Sequence, residues 1–367
     1  MLRAIITVPA REVTRLPLAS TDPAIMSATF AGYAKARIRV IDENGASCAS
    51  PAARPIAANA GYIRIEVDVA CERAPRQAEY DVLFDLAPSH VHFARFGEEL
   101  QYEAILSNSR RLIDLATTSS DRTGASFGQY VGLGFLHVIS GYDHLAFLLA
   151  LLLVAESWRR VLLALTGFTV GHSLTLGIAL LGVVAPKAPL VEALIGFTVG
   201  LVAAEYVALA SRHSRSIRIA ASGLAAAIGA VALSLRSITF ADLPIYLGIG
   251  GFTYCYLRLS LQLAGTARHI VLLSIVALAF GLIHGFGFAG FLMGTGIGGE
   301  SILKPLLGFN LGVEVGQVTA VATALLLVAV YRRLRPRESG GLAAGVLASV
   351  LCGVGVYWFV SRSLVSM

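Results

Sequence analysis

Charge is what this sequence has least of. Asp, Glu, Lys and Arg together make up 14% of the chain against 56% hydrophobic residues, and a mean hydropathy of +0.72 excludes an ordinary soluble domain. A lipid bilayer is the expected solvent. Acidic residues are scarcer than basic ones, giving a net charge of +6. The arginines, however, stand between apolar runs rather than along one polar face, so they speak for orientation in a membrane and against nucleic-acid binding. Cysteine is also rare. Cys48 and Cys71 lie in the polar N-terminal third, where a disulfide between them is open if that third is periplasmic. Cys255 and Cys352 sit inside apolar segments, where a thiol is a small hydrophobe. Phosphate cradles are missing: GFGFAG and GTGIGG neither follow a strand nor open a soluble helix, so ATP-driven work would need another subunit. The first thirty residues show no basic segment followed by an unbroken apolar run and a small-residue cleavage site. Export of the N-terminal third would then rest on the first membrane helix or on residues upstream of Met1.

What is present divides into two parts. Alternation of period two, in Ala36 to Ile41, Tyr62 to Val69 and Tyr80 to Leu86, predicts a small antiparallel, β-sandwich-like domain over residues 1–106. A polar stretch over residues 107–126, with SNSRR and TTSSDRTG, reads as a linker. Residues 127–367 read as a polytopic all-α membrane bundle of about eight helices, since a 30 Å hydrocarbon core needs about 20 apolar residues per span. The runs are Phe127 to Val154, Val161 to Val184, Leu190 to Ala210, Ile217 to Leu235, Leu243 to Leu263, Ile270 to Met293, Leu303 to Val330 and Leu342 to Val360. Arg159 and Arg160, Arg212, Arg215 and Arg218, Arg268, and Arg332, Arg333, Arg335 and Arg337 fall in every second loop. The intervening loops hold only Lys187, Arg236 and Lys304. The positive-inside rule then puts the N-terminal domain and the C-terminus on the periplasmic or extracellular side.

Ionisable side chains inside a span cost several kcal/mol unless paired or functional, so their positions carry the information about chemistry. The first run holds His137, Ser140, Asp143 and His144 in GFLHVISGYDHLAF, and a seven-residue gap on a continuous helix puts both histidines on one face. The second holds Thr169, His172 and Ser173 in FTVGHSLTL; the sixth holds His284. The seventh holds Asn310, Glu314 and Gln317, at spacings that share a helix face. At 1.5 Å per residue, His137, His172, His284 and Glu314 come out roughly 10 to 17 Å from the outer ends, with His144 about 10 Å deeper. A single buried histidine is often only an interhelical hydrogen-bonder. Several imidazoles at one level with a carboxylate form a borderline N/O ligand set suited to Ni, Zn, Cu(II) or Co rather than Mg or Ca. Glu205 is deep in the third span and is read as lining a path, while His213 and His269 stand beside loop arginines and are read as solvated. His90 and His92 share a strand face and form a weaker metal candidate.

At these residues the chain resembles the HupE/UreJ family of membrane proteins. The resemblance spans about Ala78 to Val330 and rests on YVGLGFLHVISGYDHLAFLLALLL, LTGFTVGHSLTLGIALLGVV with VEALI, FGLIHGFGFAGFL and GFNLGVEVGQ, in that order. YDVLFDLAPSHVHFARF resembles the variant with a periplasmic domain before the helices. The third helix departs from the family pattern, and residues 217–263 read as an additional helix pair. The resemblance implies an accessory role for hydrogenase or urease, nickel uptake and a bacterial inner-membrane location, with the motif positions falling on His137, Asp143, His144, His172, His284 and Glu314. From this follows an expectation of a divalent-metal permease with Ni2+ as cargo, Ser140, Thr169, Ser173, Glu205, Asn310 and Gln317 lining its path. Two rivals stand beside it: an intramembrane zinc hydrolase using Zn2+ and the same residues, and an assembly or sensing protein whose β domain binds a periplasmic partner.

Overall fold

The computed structural model describes residues 2–17, 22–58, 62–86, 91–96, 102–107, 111–115, 127–155, 157–181, 183–184, 188–234, 240, 242–294, 303–334 and 340–365. His90 and most of the stretch read as a linker lie outside them. The chain divides into two compact units, Met1–Tyr130 with Phe291–Ile302 and Val131–Gly290 with Leu303–Met367.

In the first unit two of the three alternating stretches, Ala36 to Ile41 and Tyr62 to Val69, supply strands that bury one face. β1 (Leu2–Pro9) pairs antiparallel with β4 (Tyr62–Val69), Ile6 opposite Ile65, and β4 keeps Ile63, Ile65 and Val67 inside while Arg64, Glu66 and Asp68 face outward. With β3 (Ala52–Ile56), β6 (Val91–Phe96) and β7 (Tyr102–Ser107) they make a five-stranded sheet ordered β3-β4-β1-β6-β7. A second sheet, β2-β5-β8, comprises β2 (Ile38–Asp42), β5 (Pro75–Tyr80) and β8 (Leu112–Asp114), the last falling within the stretch read as linker. After the short α1 (Ala10–Val13) comes α2 (Pro23–Lys35), a helix the β reading does not anticipate. Asp22 caps it by accepting from the Ala24 N–H at 2.8 Å, Pro23 opens it, and Met26, Phe30, Ala31 and Ala34 form its buried stripe. One core joins α2 to strands of both sheets, with Phe30 and Phe84 fully inside; each such phenylalanine contributes about 1.5–3 kcal/mol by burial. Tyr80 to Leu86 is not a strand. Val82, Leu83 and Phe84 are all buried, which no two-faced strand permits, and the chain turns there with Leu83 at φ 66°. Cys48 and Cys71 form a disulfide that closes the β3–β4 hairpin at its open end.

The second unit is helical. Its elements are α3 (Phe127–Ser140), α4 (Tyr142–Val154), α5 (Trp158–Leu180), α6 (Ala188–Ala210), α7 (Ser214–Ser234), α8 (Leu243–Leu263), α9 (Ala267–Gly294), α10 (Leu303–Leu334) and α11 (Gly340–Val365). All eight predicted runs are helical, but they are not eight simple spans. Among the described residues, six helices are long and apolar enough to cross a bilayer, and the bent pair α3–α4 makes a seventh if it is one span. The fifth run, α8, has spanning length but is made too polar by its Tyr, Thr, Arg and Gln residues. Small residues set the closest packing. A Cβ on Gly281 of α9 would strike the Phe168 carbonyl of α5, and one on Gly312 of α10 the Val131 carbonyl of α3. The first crossing joins the helices of His172 and His284, and the second joins the helix of His137 to that of Asn310.

Candidate metal centre

The first run does not continue as one helix. α3 ends at Ser140, whose hydroxyl turns back to the Leu136 carbonyl at 2.6 Å, and Gly141 takes an extended conformation (φ −80°, ψ 98°) before α4 starts. The two segments meet at 69°. Glycine is required by space here. A Cβ would lie 2.7 Å from the His137 carbonyl and 2.9 Å from His144 Nδ1. The bend corrects the expected ladder: His144 does not sit about 10 Å below His137 on one helical face but swings beside it, ring centroids 4.7 Å apart. Two levels become one.

His172, from the middle of α5, joins them, and nitrogens of His137, His144 and His172 all lie within 4.8 Å of one another. His284 of α9 supplies a fourth ring, 5.3 Å from His144. The hydrogen bonds fix how three of these rings are presented. His144 Nδ1 lies 3.1 Å from Asp143 Oδ1, which also accepts the His144 backbone N–H at 2.9 Å. His172 Nδ1 lies 3.2 Å from Asn310 Oδ1; the amide is oriented because its Nδ2 donates to the Leu306 carbonyl at 2.7 Å. His284 Nδ1 lies 2.9 Å from the Phe280 carbonyl. Each partner can only accept, so in the neutral ring Nδ1 carries the proton and Nε2 keeps its lone pair. The Nε2 atoms of His144, His172 and His284 are buried and have no hydrogen-bond partner among the described residues. Orphaned buried acceptors are costly unless a ligand meets them. Imidazoles held through Nδ1 by a carboxylate, an amide and a backbone carbonyl are the arrangement that presents Nε2 to a metal.

The walls around the rings are aromatic. Phe168 stacks on His172 and meets His284 edge-on at 4.9 Å, Phe309 lies 5.3 Å from His137, and Phe147 5.8 Å from His284. Four ligand-type nitrogens in an apolar shell, with Asp143 as the neighbouring carboxylate among the described residues, favour a borderline divalent ion over a hard one.

Other predicted residues fall in four places. Thr169 and Gln317 are buried and bond to each other at 3.0 Å, one turn along α5 from His172, so they form a polar step beside the centre. Ser140 and Ser173 bond to their own helices, Ser173 to the Thr169 carbonyl at 2.7 Å. Glu314 is on the exposed side of α10 and has no hydrogen-bonding partner among the described residues, while Asn310 and Gln317 turn inward; the shared-face expectation holds for these two and not for the acid. Glu205 is buried elsewhere, accepting hydrogen bonds from Tyr256 and Ser260 and pairing with His269. The solvated reading of His269 is thereby corrected: its ring is only 2% exposed because the first turn of α9 folds it against α6 and α8. Ser260 and Tyr256, at i and i−4 on α8, were the available signal for that cluster.

The fold and the site define a polytopic helical membrane protein with a histidine centre between its spans. The family model described as HupE / UreJ protein matches residues 114–234 and 224–362, and the chain belongs to the HupE/UreJ family. That family is linked to transition-metal handling. No match was found among the curated proteins or the solved structures.

Proposed function

We propose that the protein is a permease that carries a divalent transition metal, Ni2+ foremost, across the cell membrane for metalloenzyme maturation. The observation that carries this reading is the set of buried Nε2 atoms on His144, His172 and His284, each left open because Nδ1 is held by an acceptor. Those three imidazoles with His137 would bind the cargo ion, and Asp143 would orient His144 and offset charge. Neutral imidazole ligands exchange more readily than thiolates, and the Thr169–Gln317 pair offers a polar step next to them, which suits passage rather than permanent retention. Glu314, outside this set, has no ligand role in the proposal. The arginine pattern supports an N-terminal domain on the outer side, and the Cys48–Cys71 disulfide suits an oxidising compartment.

Intramembrane zinc hydrolysis draws less support. Such chemistry needs a carboxylate placed to activate water, and the carboxylate at the centre, Asp143, spends Oδ1 on both the ring and the backbone of His144, which leaves Oδ2 alone for that work. Uptake of 63Ni2+ and 65Zn2+ into vesicles holding the full chain tests the reading: uptake abolished by His172→Ala supports it, and retained uptake in that variant overturns it.

A further inference from the structure

The Glu205 cluster is a second chemical centre, and the metal site does not use it. Glu205 lies five residues from the end of α6, Ser260 three from the end of α8, and His269 two from the start of α9, so all three gather at the end of the bundle where the loop arginines cluster. His269 and His284 share α9 and are fifteen residues apart, which separates the two centres by about 22 Å along that helix. Glu205, Tyr256, Ser260 and His269 are 1%, 4%, 0% and 2% exposed.

The two centres differ in what they are short of. At the histidine centre, lone pairs stand open. Here every contact is made. One Glu205 oxygen accepts the Tyr256 hydroxyl; the other accepts Ser260 at 2.5 Å and faces His269 Nε2 at 3.1 Å, with Ser260 Oγ 3.2 Å from the same nitrogen. A cation would have to displace three hydrogen bonds, whereas a proton needs no new space. With a neutral ring donating from Nε2, the site carries the charge of the carboxylate; one proton from water, taken on the ring or the carboxylate, brings its net charge from −1 to 0. Among the described residues, no Arg or Lys is paired with the cluster. Of the elements packed on α6, α4 has its ionisable groups, Asp143 and His144, at its first turn in the metal centre. α11 brings Cys352, bonded to the Gly200 carbonyl, and Arg362, bonded to the Glu192 carbonyl. On α7, Arg215 is exposed and Arg218 stacks on Tyr254; on α8 and α9, Arg258 and Arg268 are exposed.

We propose that Glu205 and His269, with Tyr256 and Ser260 as donors, form a proton-binding site whose loading and unloading accompanies passage of the metal. The inference rests on the permease reading. It is tested with the purified full chain in vesicles enclosing a pH-sensitive dye, with Ni2+ added outside. Wild type is expected to take up metal with a matching dye response. Glu205→Gln is expected to bind Ni2+ at wild-type stoichiometry, to lose the dye response and to take up metal about tenfold more slowly at a rate insensitive to pH. Tyr256→Phe, which keeps the carboxylate, is expected to retain the response with a displaced pH profile. Should Glu205→Gln fail to fold, His269→Gln takes its place. Wild-type uptake without a dye response, or an unchanged response in Glu205→Gln or His269→Gln, overturns the proton site alone. Absence of metal uptake by wild type overturns the permease reading and this inference with it.

Discussion

Asn310 offers the sharpest test of how the histidines are held. Its Oδ1 accepts from His172 Nδ1 at 3.2 Å and its Nδ2 is spent on the Leu306 carbonyl, so the amide has one orientation and the ring one tautomer. Asn310→Ala removes that acceptor. The His172 N–H is then unpaired in a fully buried position, and the ring is free to move its proton to Nε2, where it blocks the lone pair a metal needs. Loss of a partner of this kind costs roughly 10–100-fold in metal affinity, or about 1.4–2.7 kcal/mol. Asn310→Asp keeps an acceptor and adds charge, and is expected to bind at least as tightly as wild type. Equilibrium Ni2+ binding to the purified protein, with helicity monitored by circular dichroism, provides the assay. Wild-type affinity in Asn310→Ala would show that the Nδ1 bond does not prepare the site and refute the reasoning.

Gly141→Val should abolish metal binding while leaving helical content intact, because its Cβ meets both the His137 carbonyl and the His144 ring; metal content by mass spectrometry checks this. Thr169→Val breaks the bond to Gln317 beside the centre and is expected to slow uptake several-fold at unchanged equilibrium binding. Gly281→Leu forces a side chain into the Phe168 carbonyl of α5, and a fall in melting temperature with loss of binding is the expected result. Cys48→Ser with Cys71→Ser opens a 23-residue loop and should lower stability by about 3 kcal/mol in denaturant unfolding of the N-terminal unit followed within the full chain.

The membrane runs were legible because the bilayer demands length and apolarity, and those are visible in one dimension. So were His137, His144, His172 and His284, since ionisable residues in apolar runs stand out. The bend at Gly141 was not. Helical spacing assigns His137 and His144 to one face only while the helix continues, and a lone Gly in a membrane run gives no notice that it will end one. The same holds for Glu314 and Gln317: three residues apart, they straddle the border between the packed and exposed sides of α10, which depends on where α3 and α5 press. His269 was hidden by its neighbour Arg268, for adjacent helical residues point about 100° apart and one can be solvated while the other is buried. In the first unit, α2 escaped because its small residues make a faint stripe, and Tyr80 to Leu86 misled because three buried residues in a row imitate a strand until their directions are known.

Ni2+ binding and uptake by vesicles containing the full chain, compared between wild type and His144→Ala, bear most directly on the claim that the histidine centre handles a metal as cargo. The account predicts saturable binding and uptake in wild type, with both lost in His144→Ala. Tightly held Zn2+ that His144→Ala removes, with no uptake of either ion by wild type, would contradict it and make the metal a resident of the site.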